Sequence, residues 1–174
     1  MWYNRYIMVG KLSEVKKVQA RAILVFGAPC SGKSTFCEKF AARFKAPYFD
    51  LGKLVRDYNL DRHMLMIILE QVAKTGQMLV IEGGLDTERD RREVKSVLRK
   101  AGYTPTLVWI QTDLGTMKSR LKFREKSIAR AKEKLDYGLS TLEAPSELER
   151  PVVLSGKHTF ETQLRHVLLG LGDN

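Results

Sequence analysis

The chain has 174 residues, of which 44% are apolar, and its 30 Lys and Arg against 20 Asp and Glu give a net charge of +10. This length suits one α/β domain with a sizeable core, and no apolar run is long enough for a membrane span. Two cysteines are too few for a disulfide framework and suit a reducing compartment. The first nine residues lack the pattern of a signal peptide, so we expect a cytoplasmic protein with no membrane contact.

The positive charge is concentrated in two segments. Residues 1–21, a basic N-terminal extension, hold five Lys or Arg against Glu14 alone, and residues 118–134 hold eight against Glu125 and Glu133. Such a segment is either a solvated helix face or a surface for a polyanion, meaning nucleotide phosphates or a nucleic-acid strand. Composition leaves both interpretations open.

A phosphate-binding motif follows the first predicted strand. Residues 22–26 form a short apolar run typical of a central parallel strand that is covered on both faces. Residues 27–34 then read Gly-Ala-Pro-Cys-Ser-Gly-Lys-Ser, a complete G-x-x-x-x-G-K-[ST] loop. An amphipathic helix comes next, with Phe36, Phe40 and Phe44 on one face. This strand–loop–helix context predicts a nucleotide-binding site.

Each part of the loop has a chemical role. Its backbone N–H groups surround phosphate oxygens, and Gly27 and Gly32 allow close approach and left-handed turns. Lys33 is expected to reach the β- and γ-phosphates, and the Ser34 hydroxyl is expected to bind Mg²⁺. The predicted nucleotide contacts are Gly27, Ala28, Pro29, Cys30, Ser31, Gly32, Lys33, Ser34 and Thr35.

Strands and helices alternate along the rest of the chain. Further strands are predicted at residues 48–50, 78–81, 106–110 and 151–154. Helices are predicted at 62–74, 91–100 and 159–169, together with a basic helix that Asp113 caps, that continues or breaks near Ser127, and that Gly138 ends. The helix at 62–74 places Met64, Ile67, Ile68 and Val72 on one face. This alternation predicts an α/β fold with a parallel sheet, in which ligands bind beyond the carboxyl ends of the strands.

Polar residues follow the predicted strands at that edge. Asp50 ends the second strand, where it is placed either to take a proton from a substrate hydroxyl or to cap the next helix. Glu82 ends the third strand and is a candidate to hold Mg²⁺ through water, to assist Asp50, or to be a plain turn residue. Lys53 and Arg56 are candidates to hold an anionic part of the acceptor.

Two arginines of the basic helix lie four residues apart. Arg120 and Arg124 therefore share a helix face. In an enzyme that transfers a phosphoryl group, such arginines neutralise the developing charge and exclude water as a lid closes. His158, on the turn after the fifth strand, is a candidate to line a base pocket, and no spacing is typical of a zinc or iron site.

The order and spacing of these motifs resemble the small P-loop kinases, in particular the polynucleotide-kinase-like and zeta-toxin-like branch. The resemblance covers about residues 22–170 and rests on the phosphate loop, the Tyr-Phe-Asp at 48–50, residues 80–92 and the arginines of the basic helix. It implies a single three-layer P-loop NTPase domain over residues 22–174. The implied sheet is five-stranded and parallel with strand order 2-3-1-4-5, and the implied helical lid covers about 118–150.

The resemblance also implies a chemistry: transfer of the γ-phosphoryl group of Mg-ATP to an acceptor hydroxyl. The acceptor would be a small metabolite, a nucleotide-sugar or the 5′-OH of a nucleic acid. Asp50 would act as the base, and Arg120 or Arg124 would clamp phosphates. The turn after the fifth strand, at Gly156 and Lys157, would border the nucleotide base.

Two positions depart from the family's pattern. Lys53 stands where such kinases often have arginine, and lysine supplies a point charge instead of a fork. Glu82 stands where Asp is common, so the acceptor class stays open. The chain lacks the Asn-Lys-x-Asp of GTPases. The main alternative is an ATP-binding regulatory module with little turnover that contacts RNA or a protein partner.

Overall fold

Five parallel strands form one sheet in the part of the chain that the computed structural model describes, residues 20–124 and 127–172. The strands are β1 (Ala20–Phe26), β2 (Tyr48–Asp50), β3 (Leu79–Glu82), β4 (Tyr103–Gln111) and β5 (Val152–Ser155). Their order across the sheet is β2-β3-β1-β4-β5, and every neighbouring pair is parallel. The predicted fold class and strand order are confirmed.

Seven α-helices connect or follow these strands within the described ranges. They are α1 (Lys33–Phe44), α2 (Leu51–Tyr58), α3 (Arg62–Ala73), α4 (Glu88–Lys100), α5 (Leu114–Arg124), α6 (Ile128–Thr141) and α7 (Phe160–Gly172). A short 3₁₀ turn covers Glu147–Glu149. The predicted basic helix is divided into α5 and α6, because the side chain of Ser127 caps a new helix at the amide of Arg130.

The core lies on both faces of the sheet. Residues 22–25 of the central strand β1 are fully buried, as the continuous apolar run predicted. One face is covered by α1 and α7, and the other by α3 and α4. This arrangement leaves the carboxyl edge of the sheet for the loops that carry polar residues.

The buried face of α3 differs from the predicted one. Leu65, Leu69 and Ala73, spaced four residues apart, are each 2% exposed, whereas Met64 is 49% and Ile67 is 44% exposed. The helix is apolar around most of its circumference, so periodicity does not select a face. Packing against the sheet and α4 makes that selection.

The helices α5 and α6 pack directly on the phosphate loop. Ala28 of the loop joins a buried apolar cluster with Met117 and Leu121 of α5 and with residues of α6. Gly138 was predicted to end the basic helix, but α6 continues to Thr141. A Cβ at Gly138 would lie 2.2 Å from Cγ of Pro29, so glycine is needed here for close packing rather than for termination.

Most of the basic extension, residues 1–19, lies outside the described residues. Its last two residues begin β1, where the Arg21 guanidinium donates to the carbonyl of Leu171 at 2.8 Å. Among the helices that the structure describes, none combines the length and apolar character needed to cross a bilayer.

Candidate active site

The phosphate loop has a backbone that only a few residue types can adopt. Gly27 has φ of 147°, and a Cβ there would lie 2.3 Å from the carbonyl oxygen of Ile110. Gly32 has φ of 111°, and Cys30 lies in the left-handed region at 59°. This geometry therefore requires glycine at both ends of the loop, as the motif predicted.

The helix α1 begins at the loop without a side-chain cap, because the N-cap residue is Gly32. The first N–H groups of a helix have no partner within the helix and carry its positive end. A loop of left-handed residues that leads into such an end is a concave set of N–H donors. The structure thus offers an anion site where the motif predicted one.

Lys33, the lysine of the motif, lies against the same loop. Its ammonium group donates to the carbonyl oxygens of Gly27 and Ala28, each at 2.8 Å. Burial lowers the pKa of Lys33, and the negative charges of Glu82 and Asp86 oppose that shift. The pKa of Asp86 is raised, because partial desolvation outweighs the attraction of Lys33. A cation is therefore held between the loop and two carboxylates.

Glu82 is a buried carboxylate, 5% exposed, with both oxygens engaged. Oε1 accepts from the Ser34 hydroxyl at 2.9 Å, and Oε2 accepts from the Tyr48 hydroxyl at 2.5 Å. Burial and this bond to Glu82 raise the pKa of Tyr48 well above its ordinary value, so the phenol stays a donor. Cys37, buried near this group, has its thiol pKa raised, mainly by desolvation.

The Ser34–Glu82 pair fits a magnesium ion. Hydroxyl and carboxylate oxygens are the ligands that Mg²⁺ prefers, and it usually keeps several waters beside one or two protein groups. In the described residues, no group of three or more His, Cys, Asp or Glu side chains is arranged to hold a metal. Mg²⁺ held here would therefore take its other ligands from water and phosphate oxygens.

Asp50 lies beside Glu82 at the carboxyl edge, because the two residues pair in the β2–β3 register. Its Oδ1 accepts from the Lys53 amide at 2.8 Å and caps α2, so the capping alternative is realised. Its Oδ2 has no hydrogen bond with any described residue. Asp50 therefore holds its helix with one oxygen and keeps the other available.

The acceptor side of Asp50 is open. Lys53 and Arg56 of α2 are both exposed. An Arg56 Nη1 lies 3.3 Å from the Cβ position of Gly52, so this guanidinium turns back toward the start of the helix. A Cβ at Gly83 would lie 2.7 Å from the Gly52 amide nitrogen, which shows how closely the β3 and β2 ends approach.

Arg120 joins α5 to the nucleotide side of the site. Its guanidinium donates to the carbonyl oxygens of Cys30 and Ser31, each at 3.2 Å, and of Gly156 at 2.8 Å. A Cβ at Gly156 would lie 1.9 Å from the Ser31 oxygen, so the turn after β5 touches the loop. Thr112 also donates to Ser31, at 2.8 Å. Three predicted parts of the site, the phosphate loop, Arg120 and Gly156, thus meet at one point.

Three other predicted nucleotide contacts, Pro29, Ser31 and Thr35, have environments that differ from one another. Pro29 contacts α6, Thr35 is exposed on α1, and the buried Ser31 hydroxyl has no hydrogen-bond partner among the described residues. Arg124 is the last residue of α5, and its side chain lies outside the described part of the structure. The prediction that it shares the face of Arg120 is therefore not tested.

A cavity of about 220 Å³ opens beside the loop. Its lining includes Thr35, Phe36, Lys39, Arg120, His158 and Phe160. Lys157, predicted to border the base, lies elsewhere: its ammonium pairs with Asp113 at 2.5 Å, and it lines a different cavity. His158, the other residue of this turn that was predicted to line a pocket, does line the cavity beside the loop.

Sequence reasoning missed Arg91, the largest fully buried side chain. Its guanidinium forms a two-pronged ion pair with Glu149 and donates to the carbonyl oxygens of Leu85, Asp86 and Glu143. Burial alone would raise the pKa of Glu149, but hydrogen bonds from Arg91 and Ser146 hold it below its ordinary value. Arg91 thereby joins the loop after β3 to the segment after α6.

Signals in the sequence point to Arg91 and to Tyr48, the partner of Glu82, whose contacts sequence reasoning did not predict. Arg91 stands three and seven residues before the buried Val94 and Leu98, on the apolar stripe of α4. A charged residue at such a position needs buried partners. Tyr48 stands two residues before Asp50 in a strand, which places both side chains on one face of the sheet.

Comparisons with known proteins agree with this fold. No family model matches the chain. Adenylate kinase isoenzyme 1 from Sus scrofa is 26% identical over 160 residues, which cover 80% of this chain and 82% of that protein. Among solved structures, a gluconokinase from Sinorhizobium meliloti 1021 gives a TM-score of 0.69 at 18% identity and covers 89% of this chain and 93% of that one.

A third similar protein is the APS kinase CysC from Mycobacterium tuberculosis, whose structure contains AMPPNP and APS. It gives a TM-score of 0.61 at 17% identity and covers 88% of this chain and 98% of that chain. The chain has a P-loop kinase-like NTPase fold. The polynucleotide-kinase-like or zeta-toxin-like branch is a finer assignment and stays a prediction.

Proposed function

We propose that this chain transfers the γ-phosphoryl group of Mg-ATP to a hydroxyl group of an acceptor molecule. The observation that carries the proposal is the pairing of two acids at one sheet edge. Glu82 contacts the Ser34 hydroxyl of the phosphate loop at 2.9 Å, and Asp50 lies beside it in register. A candidate metal ligand and a candidate base are thus neighbours, next to a candidate anion site.

The nucleotide would lie along the loop. The N–H groups of residues 27–35 would bind its phosphate oxygens, and Lys33 would move from the loop carbonyls to the β- and γ-phosphates. The cavity beside Arg120 and His158 would hold the adenine. Mg²⁺ bound by Ser34 and Glu82 would neutralise charge on the phosphate oxygens.

The acceptor would approach from the side of α2. As its oxygen bonds to the γ-phosphorus, the bond from that phosphorus to the bridging oxygen of ADP breaks, and the hydroxyl proton passes to Asp50 Oδ2. Lys53 and Arg56 would bind an anionic part of the acceptor. Arg120 and Arg124 would neutralise the transferred group, with residues 118–150 acting as the lid.

The free oxygen of Asp50 favours a hydroxyl over a phosphate as acceptor. The curated relative is an adenylate kinase, whose acceptor is a nucleotide phosphate. A phosphate group is already ionised near neutral pH and needs no base, whereas a hydroxyl gains from a carboxylate within hydrogen-bond reach. Asp50 keeps such a carboxylate oxygen at the edge where the acceptor would bind.

A labelling screen tests the proposal. The protein is incubated with γ-labelled ATP and Mg²⁺ and, in separate reactions, with 5′-hydroxyl RNA, 5′-hydroxyl DNA, nucleosides, sugars, nucleotide-sugars and AMP, with Lys33→Ala as the background. We expect label in one hydroxyl-bearing class. Label in AMP alone would show that the acceptor group is a phosphate and not a hydroxyl. Tight ATP binding without transfer to any acceptor would instead support the regulatory module.

A further inference from the structure

The α5–α6 pair carries a groove that the proposed nucleotide site does not use. The groove has a volume of about 240 Å³, and Lys118, Lys122 and Lys132 line it. Its apolar lining consists of Leu121, Ile128, Ala131 and Leu135. Pockets for whole small-molecule ligands have volumes of roughly 300–1,000 Å³. This groove is therefore suited to one flat group rather than to a complete cofactor.

The lysines of α5 face away from the phosphate loop. Successive residues of an α-helix turn by about 100°, so Lys118 and Lys122 each lie about 160° around α5 from Arg120. Arg120 is the residue that contacts the loop, through Cys30 and Ser31. Lys118 and Lys122 consequently lie on a different surface of α5 from Arg120.

The charge of the groove lysines is not compensated. All three are exposed, and none forms an ion pair or hydrogen bond with any residue of the described ranges. Asp136 is the one acid among the residues that line the groove.

Apolar side chains are exposed beside these lysines. Ile128 of the groove is 75% exposed, and Phe123, next to Lys122 in the chain, is 88% exposed. Exposed rings alongside lysines are the combination that holds single-stranded nucleic acid, because bases stack while cations contact the backbone. A solvated helix face would not require exposed apolar groups at this density.

We propose that this groove, with Phe123 beside it, binds a single strand of nucleic acid. Lys118, Lys122 and Lys132 contact phosphates, and the apolar lining and the Phe123 ring contact bases. A duplex keeps its bases stacked inside and would leave the apolar lining unused. The surface lies outside the site of phosphoryl transfer and does not depend on that activity.

The test measures binding of the full-length protein to a fluorescein-labelled RNA strand of about 20 nucleotides, by anisotropy between about 50 and 200 mM salt. Lys118→Ala/Lys122→Ala/Lys132→Ala is compared with Lys74→Ala/Lys100→Ala/Arg165→Ala, which removes the same charge from exposed positions at the C-cap of α3, on α4 and on α7. We expect the groove variant to bind about 10-fold more weakly and the control variant to bind like the wild type.

Two further readouts separate the parts of the surface. The groove variant lowers the salt slope by about 2, since each single-strand phosphate contact contributes about 0.7. Phe123→Ala weakens binding about 5-fold and leaves the slope unchanged, because it removes stacking and no charge.

Two results would overturn the proposal. Equal RNA affinity in the groove and control variants would make these lysines a solvated helix face. Binding to phosphatidylserine vesicles but not to RNA would make the surface a membrane contact. Failure of phosphoryl transfer is separable, because Lys33→Ala protein that lacks ATP turnover is still expected to bind RNA.

Discussion

The nucleotide end and the acceptor end of the candidate site are built differently. At the nucleotide end, Arg120 makes three hydrogen bonds to backbone carbonyls and Lys33 makes two. At the acceptor end, Lys53 and Arg56 are exposed, and among the described residues the Asp50 carboxylate accepts only from the amide of Lys53 in its own helix. In the proposed function, the fold therefore holds the groups for the phosphoryl donor, whereas exposed side chains of α2 would select the acceptor.

The difference follows from where the two ends lie in the sheet. The phosphate loop joins the central strand β1, whose residues 22–25 are fully buried, to α1, and the turn at Gly156 packs against the loop within a distance that admits no side chain. The strand β2 is at the sheet edge and has only three residues, all partly exposed. Packing can position groups at the first location far more firmly than at the second.

The largest effect is expected at the nucleotide end, from Lys33→Ala. The change removes the cation that would contact the β- and γ-phosphates and should reduce phosphoryl transfer by at least about 100-fold. Transfer and ATP affinity are measured with labelled nucleotide. Lys74→Ala, which changes an exposed lysine at the C-cap of α3, is the control. Unchanged transfer in Lys33→Ala would break the assignment of the nucleotide end.

The next effect is at the acceptor end, from Asp50→Asn. Asparagine caps helices as well as aspartate does but cannot accept the proton, so transfer should fall about 100- to 10,000-fold while ATP affinity changes little. Asp61→Asn is a matched control, because Asp61 caps α3 through the Met64 amide at 2.8 Å. A loss under about tenfold would reduce Asp50 to a cap.

A smaller effect is expected from Tyr48→Phe, which removes the donor to Glu82 Oε2. Residues that orient a metal ligand typically change metal affinity by about 10-fold or more. The Mg²⁺ dependence of ATP binding should shift accordingly. Tyr103→Phe removes a comparable hydroxyl bond, to the Gln77 carbonyl at 2.8 Å. If both variants shift the Mg²⁺ dependence equally, Tyr48 does not position Glu82.

The smallest effect concerns the exposed pair of Asp113 and Lys157, which lines a different cavity from the one beside the phosphate loop. Hydrogen bonds from Lys157 and Thr116 hold the pKa of Asp113 well below its ordinary value of 3.8. Stabilisation by this carboxylate is therefore complete above that value and is lost as pH falls through the folded pKa. Thermal unfolding of wild type and Asp113→Asn should differ slightly near neutral pH and converge in acid.

A matched variant checks that the acid-side change belongs to the ion pair. Asp57→Asn alters an exposed aspartate on α2 and should follow the wild-type pH curve. The expected difference for Asp113→Asn is small because exposed ion pairs are screened by solvent. If the difference in thermal stability between wild type and Asp113→Asn grew as the pH fell, it would contradict a lowered pKa of Asp113.

Much of the candidate site could be read from the sequence because its signals are local. The phosphate loop, the acids Asp50 and Glu82 and the cap at Asp113 each depend on a few adjacent residues and on the strand that precedes them. Parallel strands bring their carboxyl ends to one edge, so residues distant in the chain could be placed together before any contact was known.

Other features were decided only by tertiary packing. Examples are which face of α3 is buried, why α6 continues through Gly138, how Arg91 is surrounded, and that Lys157 lines a different cavity from the one beside the phosphate loop; all depend on which surfaces meet. Backbone preferences and short-range spacing act within a few residues. The sequence by itself therefore determined the features that depend on them, such as the phosphate loop and the helix caps. Contacts between segments 50 or more residues apart depend on the whole packed arrangement, so the tertiary structure decided them.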